Sequence, residues 1–130
     1  MTSIKTQLSV FLDNRPGTLA RTCQSLASQG VNILALSISD TLDHAVIRLV
    51  VDDAKKAVAI LSGLKLSLQE RDVILFDLPN KPGAIADIAQ KLAQAGINLE
   101  YAYCATSVSQ SAGAIVLRTN NLEETIDVLE

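Results

Sequence analysis

The strongest constraint in this sequence is an internal repeat. Residues 14–33, N-R-P-G-T-L-A-R-T-C-Q-S-L-A-S-Q-G-V-N-I, align without a gap on residues 80–99, N-K-P-G-A-I-A-D-I-A-Q-K-L-A-Q-A-G-I-N-L. Nine of these twenty positions are identical, among them Asn14/Asn80, Pro16/Pro82, Gly17/Gly83, Gly30/Gly96 and Asn32/Asn98. The match resumes downstream, where Ile47-Arg-Leu-Val-Val-Asp-Asp answers Ile115-Val-Leu-Arg-Thr-Asn-Asn. The offset is 66 in the first stretch (14 to 80) and 68 in the second (47 to 115), which places two extra residues in an intervening turn of the second copy. A chain that repeats at this spacing is two copies of one supersecondary unit, so the fold must be solved once and applied twice. The copies divide the chain into residues 1–70 and 71–130.

Each copy has the same element order. Leu8 to Leu12 and Val73 to Leu78 are short apolar runs bounded by turn residues, the pattern of strands. Pro-Gly then punctuates the chain. From Pro16 to Gln29, Leu19, Cys23 and Leu26 recur at i, i+4 and i+7, which is one face of a helix; Ile85, Ile88 or Ala89, and Leu92 do the same in the second copy. Gly30 and Gly96 stand where a helix C-terminus favours a positive φ. Val31 to Ser39 and Ile97 to Ala105 are strands, Asp40 to His44 is a turn, and Ala45 to Val51 is a strand. Asp52 or Asp53 caps a second helix, Ala54 to Leu61, which Gly63 ends. Leu64 to Glu70 is a weak fourth strand.

The order β-α-β-β-α-β is the ferredoxin-like split unit, an α+β fold with an antiparallel sheet and both helices on one face. The chain therefore reads as two such repeats. Leu34, Leu36 and Val50 are expected on the bare sheet face, which needs a cover from the second repeat or a second subunit. The second copy stops at Glu130 inside its second helix, so its last strand is absent from the chain. Either the natural end is missing or another segment completes that sheet.

Composition narrows the function. Apolar residues make up 48 % of the 130 and charged residues 19 %, with a mean hydropathy of +0.29. Such a surplus of apolar side chains in two small units points to self-association, with a homodimer as the expected state. The net charge is −3 without a basic stripe, so nucleic acid is not an expected partner. The apolar runs are strand-sized and no signal segment is visible, so neither a membrane nor an export route is expected and the location is cytoplasmic. Cys23 and Cys104 form no short-spaced pair, which argues against a disulfide framework or a metal site. Both are expected to pack, as is the pair Tyr101 and Tyr103 at an interface. His44, the only histidine, falls in a turn and reads as a solvated side chain. Arg48 lies mid-strand, where snorkelling or ion pairing is the common fate.

The strand followed by Asn-Arg/Lys-Pro-Gly-x-Leu/Ile-Ala, a helix, and Gly-Val/Ile-Asn-Ile/Leu resembles the ACT domain. ACT domains are βαββαβ regulatory modules that bind amino acids and control metabolic enzymes or transcription factors. The resemblance covers nearly the whole chain twice, apart from the missing last strand. It implies a ligand site. In serine-responsive phosphoglycerate dehydrogenases the contacts come from the residue before the Pro-Gly turn and from the Asn that opens the second strand. The matching residues here are Asn14 with Asn32, and Asn80 with Asn98. Those enzymes also use a His two residues before the first Asn; Leu12 and Leu78 stand there, so the likeness does not extend to serine.

The physical chemistry of the turn fits that implication. A helix start presents unpaired N–H groups and a partial positive charge, which suits a carboxylate. Gly17 and Gly83 allow close approach to the backbone, and an Asn side chain both donates and accepts. The candidate ligand-binding set is Asn14, Arg15, Gly17, Thr18, Leu19 and Asn32 in the first copy, and Asn80, Gly83, Ala84, Ile85 and Asn98 in the second. Asn-x-Pro-Gly is also an ordinary tight turn, and duplication repeats turns as well as sites; the coupling with Asn32 and Asn98 favours the ligand reading. In this family such sites lie between two domains.

The resemblance implies an allosteric protein that binds an amino acid or an analogue and acts on a partner in trans, such as a metabolic enzyme, without a cofactor. Two other classes compete. One is a ligand-free dimerisation or interaction module. The other is an acylphosphatase-like hydrolase, which needs a phosphate-cradling loop with an Arg; the first turn lacks such a loop, and Arg15 becomes Lys81 in the second copy. No Ser/His/Asp set, paired acidic motif or P-loop is present, and the Cys-x-x-Cys of a metal chaperone is missing.

Overall fold

The computed structural model describes residues 2–13, 15–40, 44–106 and 112–130. Ten elements follow in chain order: β1 Thr2–Asp13, α1 Thr18–Ser28, β2 Ile33–Asp40, β3 His44–Val51, α2 Ala54–Gly63, β4 Ser67–Pro79, α3 Ala84–Gln94, β5 Leu99–Thr106, β6 Ala112–Thr119 and α4 Leu122–Leu129. They form two compact units. The first comprises Thr6–Arg71; the second joins Asp72–Glu130 with the start of the chain up to Lys5.

In the first unit the strands run in the order β2-β3-β1-β4, the arrangement of a ferredoxin-like βαββαβ sheet. Leu8, Val10 and Leu12 of β1 meet Ile47 and Leu49 of β3 on one face, and Leu26 of α1 and Ala57 and Leu61 of α2 close over them. Each of the large side chains fully removed from water here contributes about 1.5–3 kcal/mol. In the second unit the order is β1-β4-β6-β5, with Ile74, Ile115 and Leu117 under Ile88 and Leu92 of α3 and Leu129 of α4.

The repeat holds to the level of strand register. Leu8 lies opposite Leu49 and Ile74 opposite Leu117; Leu36 lies opposite Leu49 and Ala102 opposite Leu117. A bulge interrupts β2 between Ile33 and Ala35, and the same bulge interrupts β5 between Leu99 and Tyr101. The offset is 66 up to β5 and 68 from β6 onward, matching the two positions added in sequence between β5 and β6.

The sequence pattern and the structure part at several places. β1 begins six residues before Leu8, because Thr2 to Lys5 occupies the position of the strand that the second repeat lacks. The sheet is thus completed by the start of the chain, and the second unit is not the contiguous stretch 71–130. Likewise Leu64–Glu70 and Val73–Leu78 are not separate strands. They merge into β4, whose first part closes the first unit and whose remainder opens the second. The helix after the Pro-Gly turn starts at Thr18, since Gly17 has φ +87° and cannot be helical. Gly63 is the last residue of α2, as expected, and the left-handed residue of the turn beyond it is Lys65, with φ +61°.

Val50 is fully buried, whereas Leu34, Leu36 and Ile38 are exposed on the edge strand β2. Leu36 pairs with Leu49 while Val50 pairs with Ala35, so Leu36 and Val50 face opposite sides of the sheet. Cys104 is exposed rather than packed: its counterpart is Ile38, on the same uncovered edge position. Cys23 is half-buried on α1, and burial raises its thiol pKa. His44 is exposed, Arg48 half-buried, and Tyr101 and Tyr103 are half-buried on β5.

Candidate functional site

The helix starts are built alike in both repeats. Gly17 and Gly83 occupy the N-cap positions in the left-handed region, at φ +87° and +90°. A side chain at either position would be strained, so Pro-Gly is required by the turn itself. Arg15 N–H donates to the Asp13 carbonyl at 2.9 Å and Lys81 N–H to the Pro79 carbonyl at 3.0 Å. Thr18 N–H and Ala84 N–H turn back to the Arg15 and Lys81 carbonyls, each at 3.3 Å; neither helix has a side-chain cap for the N–H groups that follow in the first turn.

The strand-opening asparagines are also held alike. Asn32 N–H donates to Asp52 Oδ1 at 2.9 Å, and Asp52 N–H returns a bond to the Asn32 carbonyl at 3.0 Å. Asn120 does the same for Asn98, at 3.1 and 3.3 Å. Asp53 and Asn121 then cap α2 and α4 by accepting from Lys56 N–H and Glu124 N–H. These clamps leave the exposed Asn32 and Asn98 side chains projecting from a fixed backbone.

Within one repeat the helix start and the strand-opening Asn are not neighbours. Asn32 follows the C-terminal end of α1, and the 11 residues of α1 separate it from Gly17, about 16 Å along the axis. The same holds for Gly83 and Asn98 across α3. Each repeat therefore carries two separate halves of the expected pair. Asn14 lies outside the described residues.

The first unit holds a groove of about 1150 Å³ beside the start of α1. Arg15 and Thr18 of the expected set line it. Leu19 instead packs into the core. In the second repeat Ala84 is buried, Ile85 is 53 % exposed, and Asn80 is exposed. The groove walls also include Phe11, Asp13, Arg21, Thr22, Ser25, Ser28, His44 and the Leu64–Ser67 segment. Three basic side chains, Arg15, Arg21 and Lys65, meet one acid, Asp13, on a chain of net charge −3. Asp13 is ion-paired with Arg15 at 3.0 Å.

The hydroxyls along the groove are ordered. Thr22 Oγ1 donates to the Thr18 carbonyl at 2.9 Å, Ser25 Oγ to the Arg21 carbonyl at 2.9 Å and Ser28 Oγ to the Ser25 carbonyl at 3.0 Å. Each has spent its hydrogen on the helix and presents lone pairs, which can accept from an ammonium. Thr18 Oγ1 differs: it is buried and has no hydrogen-bond partner among the described residues.

Pattern reading missed Arg21 and Lys65. The signal for Arg21 was present as a mismatch: the aligned residue of the second copy is Asp87, an opposite charge at an otherwise matched helix start. Lys65 gave no such signal, because it lies outside both aligned stretches of the repeat.

The family model for an ACT domain pair matches residues 1–130. The chain belongs to the ACT domain family. Among solved structures, protein BT0572 from Bacteroides thetaiotaomicron is 31 % identical to this ACT pair, with a TM-score of 0.90 over 98 % of this chain and 88 % of that one. The ligand-free regulatory subunit of aspartate kinase from Thermus thermophilus is 16 % identical, with a TM-score of 0.73 over 98 % and 93 %. The regulatory subunit of aspartate kinase from Thermus flavus is 18 % identical, with a TM-score of 0.66 over 100 % and 96 %. The two kinase subunits share the fold of the ACT pair. No curated protein matches the sequence. Among the described residues, no helix of the ACT pair is long and apolar enough to cross a membrane, and no group of His, Cys, Asp and Glu is placed to hold a metal ion.

Proposed function

We propose that this ACT pair is a regulatory protein that binds an amino acid or a closely related metabolite and acts allosterically, in trans, on a partner such as a metabolic enzyme in the cytoplasm. The observation that carries this reading is the groove beside the uncapped start of α1, where Arg15 and the unpaired Thr18 hydroxyl meet outward N–H groups. An α-carboxylate suits the helix start, and the Ser and Thr oxygens suit an ammonium. The kinship with regulatory subunits of aspartate kinase supports a regulatory role.

The halves separated by α1 favour a site closed by a further ACT domain. A second copy of the chain, in a homodimer, would bring its Asn32 to the helix start of the first. Ligand would then stabilise one arrangement of the copies, by no more than its difference in affinity for the two arrangements.

Thermal unfolding of the full chain with each of the twenty amino acids at millimolar concentration tests this. A ligand at 100 times its Kd adds about 2.7 kcal/mol to the folded state, which raises Tm by several degrees. If none raises Tm, the ligand-free interaction module is the better reading. The exposed Leu34, Leu36 and Ile38 on the β2 edge favour that alternative.

A further inference from the structure

Resting on the reading above, we propose that each chain has one ligand site, in the first repeat, and that its ligand is a small acid with two anionic groups. The two repeats share backbone and register, yet their helix starts differ in charge. Arg21 sits in the first turn and a half of α1, where no acid balances it, whereas α3 carries Asp87 at the matching position. A cation at a helix N-terminus opposes the helix dipole, and an acid there is favourable. α3 is therefore satisfied by its own sequence, and α1 is left needing an anion.

Geometry brings that need to one place. The Arg21 guanidinium folds back over the turn: a Cβ built on Gly17 would lie 4.0 Å from Arg21 Nη1, while nothing comes within 4 Å of the corresponding position on Gly83. The guanidinium thus lies beside the turn from which α1 starts, and together they offer a seat for the first anionic group.

Lys65 supplies the second seat. It lines the same groove from the turn that ends α2, where its φ of +61° is that of the left-handed residue closing a helix, as Gly30 and Gly96 close α1 and α3. Neither Arg21 nor Lys65 has an ion-pair partner among the described residues. Two cations without ion-pair partners, one on α1 and one after α2, line one groove together with the Thr22, Ser25 and Ser28 hydroxyls, which matches a carboxylate at one cation and a second carboxylate or a phosphate at the other. The second repeat differs along this wall: Thr18, Thr22 and Ser25 become Ala84, Ile88 and Lys91, and Arg21 becomes Asp87.

Calorimetric titration of the full chain with L-aspartate, L-glutamate and O-phospho-L-serine, against L-alanine and L-valine, separates the alternatives. At least one acidic probe is expected to bind at one site per chain, tenfold or more tighter than the neutral pair. The dicarboxylates and the phosphate ester distinguish the two sources of the second charge. Arg21→Asp and Lys65→Ala should each weaken that probe, the former at least tenfold, and Asp87→Arg should leave it within twofold. Neutral probes binding as tightly, or Arg21→Asp and Lys65→Ala both binding normally, would overturn the two-anion assignment while leaving an amino-acid regulator in place. Two sites per chain would overturn the single site. Silence from these five probes overturns the two-anion assignment, and silence from all twenty amino acids as well removes the regulator reading with it.

Discussion

The starts of α1 and α3 are the same piece of backbone carrying opposite electrostatics. Gly17 and Gly83 agree in φ to within a few degrees, and the turn hydrogen bonds agree in partner and length. Yet α1 presents Arg15, Arg21 and an unpaired Thr18 hydroxyl to a groove, and α3 presents Asp87 above a buried Ala84. Duplication preserved what the fold demands, the glycine at positive φ and the apolar helix stripe. Positions that the fold does not use were released, and there the copies diverged. The proposed ligand site rests on that divergence more than on the shared motif.

The comparison is sharpened first at the cores, where the repeats should behave alike. Leu26 is fully buried in one unit and Leu92 nearly so in the other. Truncation of either to Ala should cost about 3 kcal/mol, the transfer term plus the cavity left behind, measurable by urea denaturation. Unequal losses would show that one unit collapses around the gap and the other does not.

A smaller and again matched effect is expected at the turns. Gly17→Ala and Gly83→Ala force a Cβ into the left-handed region and should each lose about 1–2 kcal/mol. No atom lies within 4 Å of the added carbon at Gly83 and only the Arg21 guanidinium reaches it at Gly17, so conformational strain alone sets the cost.

At the charges the repeats should respond with opposite sign. Without ligand, Arg21→Asp should stabilise the chain by about 0.3–1 kcal/mol and Asp87→Arg should destabilise it by a similar amount. Both changes should shrink in high salt, as thermal melts at two ionic strengths would reveal. Equal signs would mean that the dipole argument fails for α1.

The smallest contrast is chemical. Exposed Cys104 should react with a thiol reagent well before half-buried Cys23. Because burial raises the Cys23 pKa, the folded state binds that proton more tightly than the unfolded chain. The contribution of Cys23 to stability is therefore intact at neutral pH and lost as pH rises above the ordinary thiol range. Mass spectrometry of alkylated protein and melts at alkaline pH check the two statements, and a Cys23→Ala chain should lack the alkaline loss.

The sequence by itself determined the repeat, the βαββαβ order and the residues of the Pro-Gly turns, because periodicity, turn chemistry and glycine's steric freedom are local properties. It also marked Arg15 and Thr18, since both belong to the turn motif. Tertiary structure alone decided how the second sheet is completed, because Thr2–Lys5 has no apolar alternation and is a strand only through pairing with a distant segment. Tertiary structure likewise put Asn32 at the far end of α1 from the turn and brought Lys65 to the groove. Neither placement was legible, since the direction of a helix and the return path of a strand set distances that sequence spacing does not express.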